Sequence, residues 1–419
     1  MAKMEQQQQA LMLKGYRVLD FTHFVAGPTC TRIMAELGAD VIKVERSLEG
    51  DHVRTMGIVK DGTSTYYFQH SHSKRSLALD LHKPEARQLI LDLIPKIDVV
   101  VENFAPGVIA DMGFGYDVLS KLNPKIVMCS VSATGQTGPL SKRPGYDFIG
   151  ASFAGVTELL GEPDRPPIIP TMAIGDVSTG VAAAMAVGYA LLNAARTGKG
   201  QYLDASLLDT YFHMHELCVP VLSQRRETFK PRRNGSQHPT GSPSGVYACP
   251  GGYIMMLVQP HEFGRLAKAL GRLDLPTDPR FSSNGRRVRN NAALKEIIEN
   301  WMATFPSRDA VVAALDKERV PCAPVLSLQE AMDHPHLRER KTVRRATDPS
   351  LGEFDLPAFP VKFSGWPERT DLKASKVGED NEAILHELLG LSDAAINELY
   401  SAKVLIKAPA PVAALASAS

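Results

Sequence analysis

Short apolar runs and longer amphipathic stretches alternate along the first half of the chain, and this alternation predicts its elements. Arg17-Val18-Leu19-Asp20-Phe21 reads as a strand. Gly27-Pro28 then opens a helix over 29–37, with proline near its first position and Gly38 just past its end. Val41-Ile42-Lys43-Val44 is a second strand, completing a βαβ unit expected to pair in parallel with a right-handed crossover. The pattern recurs as strand 76–81, helix 84–94, strand 99–101, helix 118–122 and strand 126–131. Such alternation predicts a doubly wound α/β domain whose ligand lies at the carboxyl ends of the strands. Those ends carry Thr22-His23, Glu45-Arg46, Glu102-Asn103-Phe104 and Ser132-Ala133-Thr134-Gly135, so polar groups converge there.

One stretch stands apart. In Gly175-Asp176-Val177-Ser178-Thr179-Gly180 a lone carboxylate lies between glycines, after the proline-broken segment 166–170. The run 181–195 that follows has the small, apolar composition of a buried helix. Asp176 is therefore expected at or just before a helix N-terminus, where unpaired N–H groups and the helix dipole favour negative charge. Aspartate in that place often serves as the N-cap. Ser178 or Thr179 could cap instead and leave Asp176 free, with the glycines admitting a ligand to the backbone. The local pattern leaves both readings open.

Beyond Gln201 the pattern gives a strand at 202–205 and a helix over 207–219. Segment 224–245 holds four arginines and three prolines and reads as a linker. A hairpin at 247–257, helices at 261–270, 292–305 and 308–317, and a strand at 322–325 make a small α+β domain. A helix, an irregular hairpin at 359–363 and helices at 381–389 and 393–403 follow. The expected organisation is a large Rossmann-like domain (13–223), a linker with a glycine-rich loop (224–246), a small α+β domain (247–326), a segment returning to the large domain (327–405) and a disordered Ala/Pro/Ser-rich tail (406–419).

Composition narrows the chemistry. A hydrophobic share of 44% with a net charge of +1 gives no reason to expect nucleic acid or a membrane surface as partner. The run 182–195 is too short to span a bilayer, and the first residues hold no apolar core of signal-peptide length, so a cytoplasmic location is expected. Five scattered cysteines without a CxxC pair indicate neither zinc nor a disulfide framework. His70, His72 and His82 are loosely spaced around a strand and read as surface histidines rather than a metal site, so no metal is expected. Glu45 sits where a dinucleotide-binding fold places its ribose acceptor, but Gly27-Pro28-Thr29-Cys30-Thr31 lacks the G-x-G-x-x-G spacing. Arg46 beside it would suit a phosphate. Walker, Gly-x-Ser-x-Gly and His-Glu-x-x-His signatures do not occur.

Several motifs stand in a telling order: Val18-Leu19-Asp20-Phe21-Thr22-His23 with Ala26-Gly27-Pro28; Leu37-Gly38-Ala39-Asp40-Val41-Ile42-Lys43-Val44-Glu45-Arg46; Lys74-Arg75-Ser76; Val101-Glu102-Asn103-Phe104 with Pro106-Gly107; Gly135-Gln136-Thr137-Gly138-Pro139; Gly175-Asp176 with Thr179-Gly180; and Thr197-Gly198-Lys199-Gly200-Gln201. Taken together, the chain resembles class III CoA-transferases, the CaiB and formyl-CoA transferase type, over about 13–405. The resemblance implies an intertwined homodimer, with an acyl-CoA thioester and a carboxylic acid as substrates and no covalently bound cofactor. It implies that Asp176 is the acyl-accepting nucleophile, passing through a mixed anhydride and an aspartyl-CoA thioester. It places CoA contacts on His23, Arg46, Leu79, Asn103 and Phe104, and a loop covering the intermediates on Gly241-Ser242-Pro243-Ser244-Gly245. Val25 stands where formyl-CoA transferases carry a functional glutamine, which argues against oxalate or formate chemistry. His82 replaces a lysine and Asp111 an arginine that contact CoA in relatives. The racemase branch of the family carries a histidine in the motif that here reads Arg143-Pro144-Gly145-Tyr146-Asp147. A tyrosine, with an ordinary pKa of about 10, is a poor base for an α-proton, which favours transfer over racemisation. A catalytically silent CoA-binding protein is the remaining reading. Val25, Phe148 and Met214 suit an acceptor larger than oxalate.

Overall fold

Six parallel strands build the central sheet: β1 (Arg17–Asp20), β2 (Asp40–Glu45), β3 (Arg75–Ala78), β4 (Val99–Glu102), β5 (Val127–Ser132) and β6 (Gln201–Ser206). Their spatial order is 3-2-1-4-5-6, the doubly wound order, which reverses direction between β1 and β4. The computed structural model describes residues 11–366 and 368–408.

Neighbouring strand residues point to opposite faces. Leu19, Ile42, Leu77, Val100 and Met128 join one apolar cluster, while Val18, Val41, Val99 and Val127 join another. Both faces are covered, so these strands read as continuous apolar runs rather than alternating ones. Five helices cover the two faces of the sheet and the loops at its strand ends: α1 (Ala26–Glu36), α2 (Thr65–Ser71), α3 (Pro84–Leu93), α4 (Asp147–Phe153) and α5 (Ile174–Thr197). A sixth, α6 (Leu207–His213), follows β6. α3 packs on the Leu19 side together with the C-terminal helix Asn381–Leu389, and α1 and α5 pack on the Val18 side. The returning C-terminal segment is sewn to the edge strand β3, where the side chains of Asp380 and Asn381 accept from the Ser76 and Ala78 N–H groups (2.8 Å each).

The chain clusters into two units. The first holds residues up to 154, 170–216 and from 339 onward; the second holds 155–169 and 217–338. The boundaries expected at 223 and 326 fall instead at 216 and 338, and 155–169 goes with the second unit, anchored there by Arg233 on the main chain of Glu158 and Glu162. In the second unit a three-stranded antiparallel sheet (Ser244–Cys249, Gly252–Leu257, Cys322–Pro324) packs Tyr247, Ile254 and Met256 against helical Phe263, Leu294, Ile298 and Leu315.

Five expectations need correction. His70 and His72, read as surface histidines, are both buried, His70 within α2 and His72 just past its end. α5 runs for 24 residues and takes in the whole Gly175–Gly180 motif, so by length and composition it could cross a membrane. Its buried residues Ala183, Val187, Ala190 and Leu191 nonetheless belong to the core beneath the sheet. The hairpin placed at 359–363 is found at Val343–Asp348 and Gly352–Pro357, where alternating burial matches one covered face. The helix over 207–219 breaks after His213 and resumes at Cys218–Gln224. Residues 406–408, expected in the tail, are held by the sheet unit: the Ile406 and Ala408 N–H groups donate to Ala78 and Val377 (3.0 and 2.9 Å), while 409–419 lie outside the described residues.

Candidate active site

The site is built around the N-terminus of α5. Its N-cap, Ala173, has no side chain able to accept a hydrogen bond. The free N–H groups are taken up from neighbouring helices instead. Asp147 Oδ2, at the start of α4, accepts from the Asp176 N–H at 3.2 Å. The Tyr211 hydroxyl on α6 accepts from the Gly175 N–H at 2.9 Å and donates to Asp147 Oδ1. Capping is thus done in trans, and the Asp176 carboxylate stays uncommitted.

This arrangement explains the glycine. A Cβ on Gly175 would lie 2.2 Å from the Tyr211 ring and 2.5 Å from Asp147 Oδ1. A Cβ on Gly180 would lie 2.5 Å from the Ala26 carbonyl oxygen of α1. The glycines therefore admit protein neighbours rather than a ligand. Asp147 and Tyr211 were not singled out as site residues from the sequence, and no spacing could have linked positions 147, 176 and 211. Burial, with the Asp147 charge as second cause, pushes the Asp176 carboxyl up to about 7. The Tyr66 hydroxyl on α2 is raised by burial and then by the Asp176 charge, which makes it another unforeseen neighbour. Asp147→Asn keeps an acceptor for the Asp176 N–H but removes a charge. Since burial is the larger cause, the midpoint of the pH–rate profile should fall by only the smaller part of its displacement, read from kcat over pH 5–9.

Asp176 opens on a cavity of about 90 Å3 that also gathers His23, Val25, Asn103 and Tyr146. Four of the residues picked from the sequence therefore meet the carboxylate. Asn103 is spent on positioning: its Oδ1 accepts from the His23 N–H (2.9 Å) and its Nδ2 donates to the His23 carbonyl (2.8 Å). Burial pulls the His23 imidazole down to about 4, so it is neutral at physiological pH. Phe24, next to it, adopts a left-handed φ of 64°, uncommon for a bulky residue. Its N–H is held by Asp51 Oδ1 (3.2 Å) and its ring lies against His52 and Tyr146.

His23 is also a wall of a second cleft, about 330 Å3, at the carboxyl ends of β1, β2 and β4 where the strand order reverses. Arg46, Phe104, His52 and His82 line it, and the Arg46 guanidinium sits 4.9 Å from the Phe104 ring centre. Two of the picked residues are not there. Leu79 is fully buried in the core, so only its main chain, hydrogen-bonded to Glu45 (2.9 Å), could face anything but protein. Asp111 is exposed and lines neither cavity. Gly241 and Gly245 belong to the second unit, and Gly245 lies in a strand rather than in a free loop. The loop before it is pinned, with the Ser242 carbonyl accepting from Arg287 Nε (2.7 Å) and its N–H donating to Asn284 Oδ1 (3.1 Å).

Beneath both cavities runs a buried ionic network. Lys43 Nζ lies 2.9 Å from Asp51 Oδ2 and donates to the Thr22 carbonyl (2.6 Å). Arg54 grips Glu45 through Nε (2.8 Å) and a terminal nitrogen (2.7 Å), so Glu45 is not available as a ribose acceptor. Lys74 Nζ pairs with Asp20 Oδ2 at 2.9 Å. The cue in the sequence was charge inside strands, at Asp20 and Lys43, which a surface reading of charged residues passes over.

The family model described as CoA-transferase family III matches residues 13–381. The chain is 32% identical over 408 residues to the succinyl-CoA–D-citramalate CoA-transferase of Chloroflexus aurantiacus, covering 96% of this chain and 100% of that protein. It is 31% identical to the formyl-CoA:oxalate CoA-transferase of Bradyrhizobium diazoefficiens, over 94% of this chain and 97% of that one. A crystal structure of a CaiB/BaiF family protein from Brucella suis matches with a TM-score of 0.78 at 33% identity, covering 91% of this chain and 100% of that one. A doubly wound sheet with a cleft at its reversal, an uncommitted carboxylate beside that cleft and similarity along nearly the whole length agree, and the chain is a member of CoA-transferase family III.

Proposed function

We propose that the chain moves CoA from an acyl-CoA thioester to a carboxylic acid through covalent intermediates on Asp176. The observation that carries the reading is the trans-capped helix end, which leaves a partly buried carboxylate free beside the cleft of His23, Arg46 and Phe104. The CoA phosphates would take Arg46, and the pantetheine arm would run along the His23 wall toward Asp176.

The steps balance without an added proton or oxidant. An Asp176 oxygen attacks the thioester carbonyl, the C–S bond breaks, and a mixed anhydride and CoA thiolate result. The thiolate attacks the Asp176 carbonyl, releasing the donor as its carboxylate and leaving an aspartyl-CoA thioester. The acceptor carboxylate then attacks that thioester carbonyl and expels the thiolate, which takes the acyl group of the new anhydride and frees Asp176. Partial burial raises the Asp176 carboxyl toward neutrality, making its carboxylate a stronger nucleophile than an exposed aspartate. The Gly175 and Asp176 N–H groups are already engaged, so oxyanion donors must come from elsewhere in the site.

Donor-treated enzyme quenched with hydroxylamine should carry a hydroxamate at Asp176, found by peptide mass spectrometry. Turnover with no such adduct would sink the covalent reading. Solvent deuterium appearing at the α-carbon of a 2-methylacyl-CoA would instead favour the epimerase chemistry that Tyr146 speaks against. The same reading includes a pair of chains. Val177, Val181, Met185, Tyr189 and Leu192 recur every three or four residues on α5 and are exposed, an apolar face that a second copy would cover. Light scattering should give twice the 45.6 kDa chain mass.

A further inference from the structure

His23 is a wall of both cavities, the one that holds Asp176 and the cleft of Arg46 and Phe104. Its main chain is already spent, since the N–H and the carbonyl are both tied to the Asn103 amide, at 2.9 and 2.8 Å. What it offers is the imidazole. That ring lies between Phe104, on the cleft side, and Phe24, on the Asp176 side, with ring centres 5.5 and 5.2 Å away. Asn103 and the two rings fix its position, and among the described residues neither ring nitrogen has a hydrogen-bond partner.

A thioester brought along the cleft must pass this ring to reach Asp176. The cavity there, about 90 Å3, holds roughly three water-sized groups, so the carbonyl under attack has the ring within reach. Attack by a carboxylate needs no proton removed, which leaves a base with nothing to do. What the step develops is negative charge on the thioester oxygen, and a donor already in place lowers its energy. The N–H groups at the start of α5 cannot supply that donor, being held by Tyr211 and Asp147. Val25 is apolar, while the Ser132 hydroxyl and the exposed Tyr146 line the Asp176 cavity but not the cleft. The first turn of α1 begins at the same wall without a side-chain cap, so the positive end of that helix adds to what the ring can do.

The charge state of the ring fits this role. Burial pulls it down to about 4; Asp51 opposes the shift, and Lys43, Arg46 and His52 add to it. An imidazolium would pair with the Asp176 carboxylate and blunt it. A neutral ring keeps one N–H to donate and leaves the nucleophile free.

We infer that the His23 ring N–H donates to the thioester oxygen as Asp176 attacks, which makes His23 a catalytic residue as well as a wall of the cleft. The inference rests on the proposed transfer at Asp176. No proton moves: the hydrogen bond strengthens as the carbonyl electrons shift onto oxygen and relaxes as they return and the C–S bond breaks.

The test compares wild type with His23→Phe, which keeps a flat ring between Phe24 and Phe104 but has no donor, and with His23→Gln, which restores an N–H. Each protein is read twice: CoA affinity by calorimetry, and the single-turnover rate at which saturating propionyl-CoA yields the Asp176 hydroxamate under hydroxylamine quench. His23→Phe should bind CoA within about threefold of wild type while that rate falls about 100-fold or more, the scale of one lost oxyanion donor. His23→Gln should recover at least about tenfold of the loss. A rate in His23→Phe within about threefold of wild type overturns the inference, and so does a CoA affinity that falls as far as the rate does. Should His23→Phe fail to fold, His23→Leu is read by the same criteria. These outcomes all leave Asp176 labelled in wild type. If exchange survives Asp176→Ala, or donor never labels that carboxyl, the transfer reading itself fails and the inference falls with it.

Discussion

Asp176→Asn should abolish CoA exchange while making the folded chain more stable above neutral pH. The loss of activity should reach about 10^4-fold or more, the scale seen when a covalent nucleophile is removed from an intact site. An amide of the same shape keeps the N–H contact to Asp147, so a folding defect is not expected. Stability moves the other way. Burial first, and the Asp147 charge second, raise the Asp176 carboxyl from its ordinary 3.8 to about 7. Folding therefore favours the protonated form: the associated stability is complete below the unfolded value and is lost as pH rises through about 7. At pH 8 the ionised group costs on the order of 2–4 kcal/mol, which asparagine does not incur. Denaturation midpoints for wild type and variant should nearly coincide at pH 4 and separate at pH 8 in favour of the variant. A variant less stable at pH 8 would mean that the carboxylate is paired rather than held free.

Asp20→Ala should destabilise the first unit by about 3–5 kcal/mol, because it strands a buried ammonium. Burial alone would raise the Asp20 carboxyl, but Lys74 and Lys43 outweigh it and hold it at about 2. Its charge thus contributes stability above the ordinary value of 3.8, and that contribution is lost as pH falls through about 2. Asp20 also accepts from the Thr22 N–H (2.9 Å) and from Thr31 Oγ1 (2.7 Å), so its loss frees the turn that presents His23. Lys74 is already pulled to about 8 by burial against the opposing pull of Asp20, and without that partner it would shed its proton. The double variant Asp20→Ala/Lys74→Met should recover most of the stability, since neither charge is then left unpaired. Chemical denaturation of the four proteins of the cycle measures this; additive losses would show that the pair is not coupled.

Much of the fold was legible in the sequence because period and punctuation are local. Strands at Val18, Val41, Val99 and Val127 announced themselves as unbroken apolar runs, and Pro28 and Gly38 bracketed α1 within a few residues. The short α2 and α4 were not foreseen. The hairpin placed at 359–363 erred because apolar residues beside prolines imitate one, whereas the paired ladder lies in the polar-looking 343–357.

The sequence by itself determined that a parallel doubly wound sheet forms and that a carboxylate stands at the start of the long helix beside loops carrying His23, Arg46 and Phe104. Only the tertiary structure decided that this carboxylate is free. That follows from Asp147 and Tyr211, brought from 29 residues before it and 36 residues after Gly175 to cap the helix in its place. Tertiary structure also consigned Leu79 to the core and Glu45 to Arg54. Periodicity is written residue by residue along a chain, but which donor meets which acceptor depends on strand order and helix approach, and those are set only when the whole core closes.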